Sequence, residues 1–436
     1  MCGIIISSDE IEEGCYKKVI NRGPDLVNKI KYNGYNFIHC LLELTGERTP
    51  QPIIDEDIVL IFNGEIYNYK EILSDAKSDG YSIIECYKKH GQFFFKYLDG
   101  EFTIVLFDFK KDLLFIVSDI FGTKPLFYKI NKDMVRITSY SSVFPNCDMK
   151  EIENNTVIIY DMKEMKIRNR NIIHKFDLNQ HKNDYHDFNK ALEKAVIKRY
   201  PEKDPPLLNL SSGLDSGVIS CILKKYGKKA IYISFNKNED KEVLKKRNEI
   251  LNNSIIFLDL VEEEKRLYKK DLENNCEPFT WDWRYVPKIN KIDNGFDKSS
   301  MLAKAKTMKM LNTTNPKIKV SYSGIGGDEV MNIAKYYSHG VGNPSRFPKN
   351  LEKVFPWKNF FEGSMKNYIK GDEYVGGCYS FETRFPFCDK YLVQEFLWLT
   401  PDLKNRFQKY DQKPALVQYL IKEKYPFCEK KYGFDV

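Results

Sequence analysis

The chain reads as two successive folds: an α+β unit built on antiparallel sheets, then an α/β unit built on a parallel sheet. Three observations lead there. In the first half, short strand-like runs are separated by Gly, Asp and Asn turns, and helical patterns are few. The stretch Ile172–Asp184 is polar, lacks clear periodicity and reads as a linker. Beyond it the rhythm becomes strand, turn, helix in repetition, which implies a parallel sheet with helices on its faces. The expected units span 1–175 and 185–436. A length of 436 residues suits two such units, at about 100–200 residues each.

In the first unit Ile58–Phe62, Phe102–Asp108, Leu113–Asp119 and Thr156–Tyr160 are the expected strands, and Ser82–His90 an expected helix. In the second, Asp187–Tyr200 reads as an amphipathic helix. Leu207–Leu210 is a short apolar run, followed by a Ser/Gly turn and a helix from Ser216. Ala230–Phe235 is a strand, Lys241–Leu251 a helix and Ser254–Leu260 a strand. Lys317–Ser323 is a further strand, ending in a second Gly-rich turn before a helix. Ligands of parallel sheets bind at the carboxyl ends of the strands, where both turns fall.

Composition excludes several classes. Hydrophobic residues make up 42% and charged residues 30%, which rules out wholesale disorder. The 68 basic and 61 acidic residues give +7, spread along the chain, so no nucleic-acid partner is expected. No apolar run approaches the roughly 20 residues of a membrane helix. The opening MCGIIISSDE lacks the basic and apolar regions of a signal peptide. Ten cysteines without a C-x-x-C pair argue against a zinc site or a disulfide framework, and fit a cytoplasmic, reducing setting.

Cys2 stands apart. Loss of the initiator Met would leave it a free α-amine, with pKa about 7.7–8.0, able to serve as general base for its own thiol. Four segments follow in order: N21-R-G-P-D25, F62-N-G-E-I-Y-N68, L98-D-G-E-F102 and D119-I-F-G-T-K-P-L126. With MCGI, they resemble the class II glutamine amidotransferase domain, of N-terminal-nucleophile type, that opens the glutamine-hydrolysing asparagine synthetases. The resemblance covers about residues 1–165. It implies Cys2 as nucleophile, with the Asn63 side chain and the Gly64 N–H as oxyanion hole. Read locally, Asn63-Gly64 is also the strongest hairpin-turn signal, and a turn could present those donors. The resemblance makes Asp79, in K77-S-D-G-Y-S82, the partner of glutamine's α-ammonium, with Glu65 as an auxiliary contact; read locally, Asp79 is a helix-start residue. One departure concerns the α-carboxylate. The family's Arg in H-E-R-L-S-I is Leu41 here, in H39-C-L-L-E-L44, and Arg48 is the nearby cation that could replace it. His39 reads as structural.

The second unit contains L207-L-N-L-S-S-G-L-D-S-G217, opening a helix at a strand end. It resembles the family's pyrophosphate loop S-G-G-L-D-S, with Ser212 replacing a Gly. Backbone N–H groups and a helix N-terminus make an anion site there. Ser211, Gly213 and Ser216 would contact ATP, and Asp215 would hold Mg²⁺. S323-G-I-G-G-D-E329 resembles S-G-E-G-x-D-E, which places Ser323 and Gly324 on the nucleotide and Asp328 on the metal. E382-T-R-F-P-F-C-D389 and K430-K-Y-G-F434 resemble two further family motifs. The last makes Lys431 the cation stabilising charge on the α-phosphate. Backbone near Asn209 and Lys237 are weaker nucleotide contacts.

The resemblance implies a three-part reaction. Glutamine is hydrolysed at Cys2 through a thioester. ATP–Mg²⁺ converts the aspartate side-chain carboxylate to an acyl-adenylate. Ammonia crosses an internal tunnel and displaces AMP, giving asparagine and pyrophosphate. It allows a homodimer. Ile325 occupies the position of the family Glu tied to aspartyl-adenylate formation, and cannot accept a proton or bind an ammonium. Two alternatives follow: the same chemistry on another carboxylate acceptor, or a degenerate, non-catalytic relative. Asp328, Glu329 and Glu382 are the groups that could otherwise handle aspartate.

Overall fold

The computed structural model describes residues 2–282, 292–332, 346–352, 364–406 and 413–429. They form two compact units. The first gathers Met1–Lys175 together with the short segments Asn275–Glu277 and Gly376–Glu382; the second holds Phe176–Asn274, Pro278–Val375 and Thr383–Val436.

The first unit contains two six-stranded antiparallel sheets. Strands β1 (Gly3–Ser7), β2 (Leu26–Tyr32) and β3 (Tyr35–Leu41) belong to one, and β4 (Ile53–Asp55), β5 (Ile58–Ile66), β6 (Gly100–Asp108) and β7 (Leu113–Ser118) to the other. Alternation explains the continuous apolar run of β5. Val59 and Ile61 point into a cluster with Ile4, Ile6 and Phe37 of the opposite sheet. Leu60 and Phe62 point to the other face, against Ile83, Ile84 and Tyr87 of helix α1 (Asp79–His90). Both faces are therefore covered, and the polar residues at the carboxyl end of β5 reach the edge of the core.

The Asn63-Gly64 pair corrects one expectation. It lies within β5, not in a hairpin turn: Asn63 opposes Thr103 and Gly64 opposes Phe102 in a nine-residue ladder with β6. The polar run after Tyr160 differs too. Lys166–Ile172 forms an exposed antiparallel strand, so regular structure extends to the start of the expected linker.

The second unit has a five-stranded sheet, with β8 (Leu207–Asn209) between β9 (Ile231–Phe235) and β11 (Val320–Tyr322), β10 (Ile255–Leu258) on one edge and β12 (Glu382–Arg384) on the other. β8 pairs in parallel with β9 and β11, and β9 with β10. Helix α2 (Leu214–Lys225) follows β8. A short helix, Gly327–Met331, follows β11. The two Gly/Ser turns thus sit side by side at the carboxyl ends of adjacent parallel strands.

Candidate functional site

The first site is assembled around the chain's start. Cys2 is buried just ahead of β1. Its backbone N–H donates to Asn63 Oδ1 at 2.9 Å, and its carbonyl accepts from Arg22 Nε at 2.9 Å. Arg22 is itself fully buried, donates to the Tyr140 hydroxyl at 2.8 Å and lies 4.8 Å from that ring's centre. Asn63 Nδ2 is buried and makes no hydrogen bond among the described residues. An orphaned donor costs stability unless something else uses it. Gly64 has φ +124°, and a Cβ there would lie 1.9 Å from the Glu101 carbonyl oxygen, so the backbone admits glycine only.

A cavity of about 40 Å³ opens beside the thiol, lined by Cys2, Leu41, Gly64, Glu65, Asp79 and Glu382 among others. Asp79 Oδ2 accepts from the Ile66 N–H at 3.0 Å, and Glu65 accepts from Thr45 Oγ1 at 2.7 Å. Burial, then the charge of Glu65, raises the Asp79 carboxyl well above its ordinary value. Burial also pushes the Cys2 thiol up to about 11. The thiol therefore rests protonated at neutral pH. Leu41 lines the cavity. Arg48 does not: it donates to the Asp25 carbonyl at 2.7 Å and lies 3.4 Å from Glu43. His39 is buried beside Gln51, whose N–H it accepts at 3.2 Å, and burial lowers its pKa to about 3.

The second site lies at the strand ends. Gly213 caps α2, Ser211 N–H donates to Ser216 Oγ at 3.0 Å, and the two serine hydroxyls are 2.9 Å apart. Arg247, fully buried, holds the loop's outward carbonyls: it donates to Gly213 at 3.0 Å and also to Ser211. Gly217 gives it room, since a Cβ there would meet its guanidinium at 2.2 Å. Ser212 is tied down by Glu239, which accepts from its N–H at 2.6 Å.

Asp215 and Asp328 meet on one cation. Lys413 Nζ donates to Asp215 at 2.7 and 2.9 Å and lies 2.9 Å from Asp328. Gly327 makes the approach possible, because a Cβ there would fall 2.2 Å from the Asp215 carboxylate. No motif pointed to Lys413, which immediately precedes the helix Pro414–Lys422. Lys431 lies outside the described residues. A cavity of about 350 Å³ joins Asn209, Ser211, Asp215, Ser216, Ser323, Gly324 and Asp328.

The same cavity contains residues that the sequence reading did not single out. Ser323 Oγ donates to Asp372 at 2.5 Å, and Lys304 pairs with that carboxylate. Trp281 and Tyr368 stand edge to face, their centres 4.8 Å apart, beside Ile325. Of the groups proposed to compensate for Ile325, Glu329 accepts from the Gly326 N–H at 2.9 Å, Asp328 is on Lys413, and Glu382 lines the Cys2 cavity instead.

Among the described residues no cluster of three or more His, Cys, Asp or Glu could hold a metal by itself. Two converging carboxylates do suit Mg²⁺, which is commonly held by one or two carboxylates plus substrate phosphates. No described helix is long and apolar enough to cross a membrane.

Comparison with known proteins agrees with this division. Residues 1–181 match the model of a glutamine amidotransferase domain, and residues 187–366 that of asparagine synthase. A glutamine-hydrolysing asparagine synthetase of Saccharomyces cerevisiae is 30% identical over 255 residues, covering 53% of this chain and 44% of its own. A putative one from Methanocaldococcus jannaschii is 24% identical over 270 residues, covering 55% and 48%. One from Sandersonia aurantiaca is 25% identical over 422 residues, covering 89% and 74%. The first two matches span about half the length of those relatives. With both domain models matched in order, and relatives of that name aligned along it, the chain carries a glutamine amidotransferase domain followed by an asparagine synthase domain and is similar to glutamine-hydrolysing asparagine synthetases.

Proposed function

We propose that the protein is an ATP-dependent carbon–nitrogen ligase that takes its nitrogen from an amide donor, with glutamine as donor and aspartate as acceptor. The observation that carries this reading is the meeting of Asp215 and Asp328, from two separate strand-end turns, on Lys413 beside a serine-lined loop.

In the first site the Cys2 α-amine, freed by loss of Met1 and oriented by Asn63 Oδ1, takes the thiol proton. The sulfur adds to the donor's carboxamide carbon. Asn63 Nδ2 and the Gly64 N–H receive the oxyanion, and the orphaned state of Nδ2 supports that role. Asp79, with Glu65 beside it, holds the donor's ammonium. Ammonia leaves with the proton, and water clears the thioester.

In the second site the loop Ser211–Ser216 and Ser323–Gly324 bind ATP, with Lys413 and Lys431 countering phosphate charge. Bound Mg²⁺, held by Asp215 and Asp328, would neutralise the departing pyrophosphate. The acceptor carboxylate attacks the α-phosphate, and ammonia then displaces AMP from the acyl-adenylate. A second acceptor acid is favoured by Ile325, whose apolar side chain stands in the cavity wall beside Trp281 and Tyr368. The Lys304–Asp372 pair offers one charge of each sign to either acid.

The test incubates protein with glutamine, ATP, Mg²⁺ and aspartate, reading asparagine, AMP and pyrophosphate. Cys2→Ala keeps ammonia-dependent synthesis and loses glutamine dependence; Lys431→Ala loses both. ADP in place of AMP contradicts the adenylate. AMP release with an acid other than aspartate, and not with aspartate, selects the second reading.

A further inference from the structure

The charges around the strand-end cavity fall into two groups. Asp215 and Asp328 share Lys413, and Asp372 pairs with Lys304. The first group belongs to the two Gly/Ser turns and is absorbed by the ATP reading. The second is not. Lys304 comes from the helix Ser299–Thr314 and Asp372 from the helix Ser364–Cys378, and both line the cavity. Their side chains are only 16% and 2% exposed, so what surface they have is offered to the cavity. A short chain of hydrogen bonds links them to Ile325, the position where the resemblance expects a Glu. The Ile325 N–H donates to Ser323 Oγ at 3.2 Å, and Ser323 Oγ donates to Asp372 at 2.5 Å. The carboxylate missing from side chain 325 is thus supplied two hydrogen bonds away, from another helix. Glu329, Asp328 and Glu382 do not take that place, since each is engaged elsewhere.

We propose that Asp372 and Lys304 determine acceptor specificity, and that the acceptor they select is an acidic α-amino acid. Asp372 receives its α-ammonium and Lys304 its α-carboxylate, which leaves the side-chain carboxylate for the α-phosphate. The inference rests on the reading of this cavity as the adenylating site. The pair is neutral as a whole, so a zwitterion enters without adding net charge, and each of its ends meets an opposite charge already held in place. Neither residue has to give up its present partner. A carboxylate has about four lone-pair sites and an ammonium three N–H groups, so each can serve a neighbour and a ligand together. An acid without the ammonium brings only anions to Asp372, and like charges close together in a poorly solvated site are disfavoured. Ile325 adds apolar surface to the wall and no competing charge.

The experiment supplies the full chain with ammonia, ATP and Mg²⁺ and reads AMP from three acids. These are aspartate, succinate, which lacks the ammonium, and aspartate α-amide, which lacks the α-carboxylate. Aspartate should exceed each of the others at least tenfold in kcat/KM, carried mainly by KM. Asp372→Asn should erase the preference over succinate and keep the preference over the α-amide. Lys304→Gln should do the reverse. Either single change strands a buried charge, so the double variant Lys304→Gln/Asp372→Asn, which strands none, covers the case in which a single one fails to fold. It should erase both preferences. A pair that only braces the two helices would lower all three acids by one factor and leave their ratios as in the parent, and that result overturns the inference. So does AMP from succinate as readily as from aspartate in the parent. AMP from an acid without an α-ammonium, and none from aspartate, overturns the inference while adenylation stands. AMP from no acid fails the adenylation reading itself. Calorimetry of aspartate binding with α,β-methylene-ATP and Mg²⁺ then decides: a tenfold loss in the double variant supports the assignment, and equal binding or none in the parent overturns it.

Discussion

Replacing Asn63 by leucine, close in shape but without polar atoms, separates catalysis from stability. The amide has two jobs in the proposed mechanism, both visible in its surroundings. Oδ1 accepts from the Cys2 N–H at 2.9 Å, and Nδ2 is buried without a partner among the described residues. Losing one oxyanion donor costs about 2.7–4 kcal/mol of transition-state stabilisation. At about 1.36 kcal/mol per decade, kcat for donor hydrolysis falls by roughly 10²–10³. The ground state is nearly indifferent. Losing Oδ1 orphans the buried Cys2 N–H at a cost of about 1–3 kcal/mol, while removing the buried, unsatisfied Nδ2 returns about 1–3 kcal/mol. Asn63→Leu is therefore expected to stay within about 2 kcal/mol of the parent. Ammonia release and denaturant midpoints give the two numbers, and ammonia-dependent synthesis is the internal control. A fall in kcat below tenfold, or a parallel loss of ammonia-dependent synthesis, refutes the oxyanion assignment.

Three further outcomes are expected. Lys413→Met leaves Asp215 and Asp328 without their shared cation. Both carboxylates keep about a fifth of their surface exposed, so the destabilisation is expected near 3 kcal/mol, the low end for breaking a buried pair, with AMP formation down at least a hundredfold and donor hydrolysis unchanged. With the Cys2 thiol pushed up to about 11, its alkylation by iodoacetamide should be slow at pH 7 and climb about tenfold per pH unit to near pH 10; a plateau at pH 8 would contradict the burial of the thiol. His39 is held neutral in the fold, near 3 against an ordinary 6.5, so the unfolded chain binds the extra proton. Stability is full above pH 6.5 and declines as pH falls toward 3, by up to about 1.4 kcal/mol per unit, and His39→Gln should flatten that slope in calorimetry.

The strands and helices that were legible in the sequence are those whose apolar pattern matches their burial. β5 to β7 read as strands because both faces are covered, and Lys241–Ile250 read as a helix, with Asp240 accepting from two N–H groups at its start. The Asn63-Gly64 reading failed because a local turn preference was set against nine residues of ladder with β6, and the ladder prevailed. Lys166–Ile172 was missed because an exposed edge strand of alternating basic and polar residues has no apolar face to announce it. Motifs placed the Cys2, Ser211–Ser216 and Ser323–Asp328 neighbourhoods. Lys304, Asp372 and Lys413 were invisible for a different reason: each is an ordinary polar residue in its own segment, and only folding brings the first two to the cavity and Lys413 to Asp215 and Asp328.

The composition of the first unit bears on how such a protein can be dissected. Glu277 accepts from the Ser142 N–H at 3.0 Å, Ser380 Oγ donates to the Asn21 carbonyl at 2.7 Å, and Gly377 packs on Arg22 and Tyr140. Two pieces of late-translated polypeptide thus complete a body that begins at the amino terminus. A fragment stopping near residue 181 would expose Arg22, the buttress of the Cys2 carbonyl, to water. Excising the amidase half therefore calls for grafting those two pieces back, not for a single well-chosen cut.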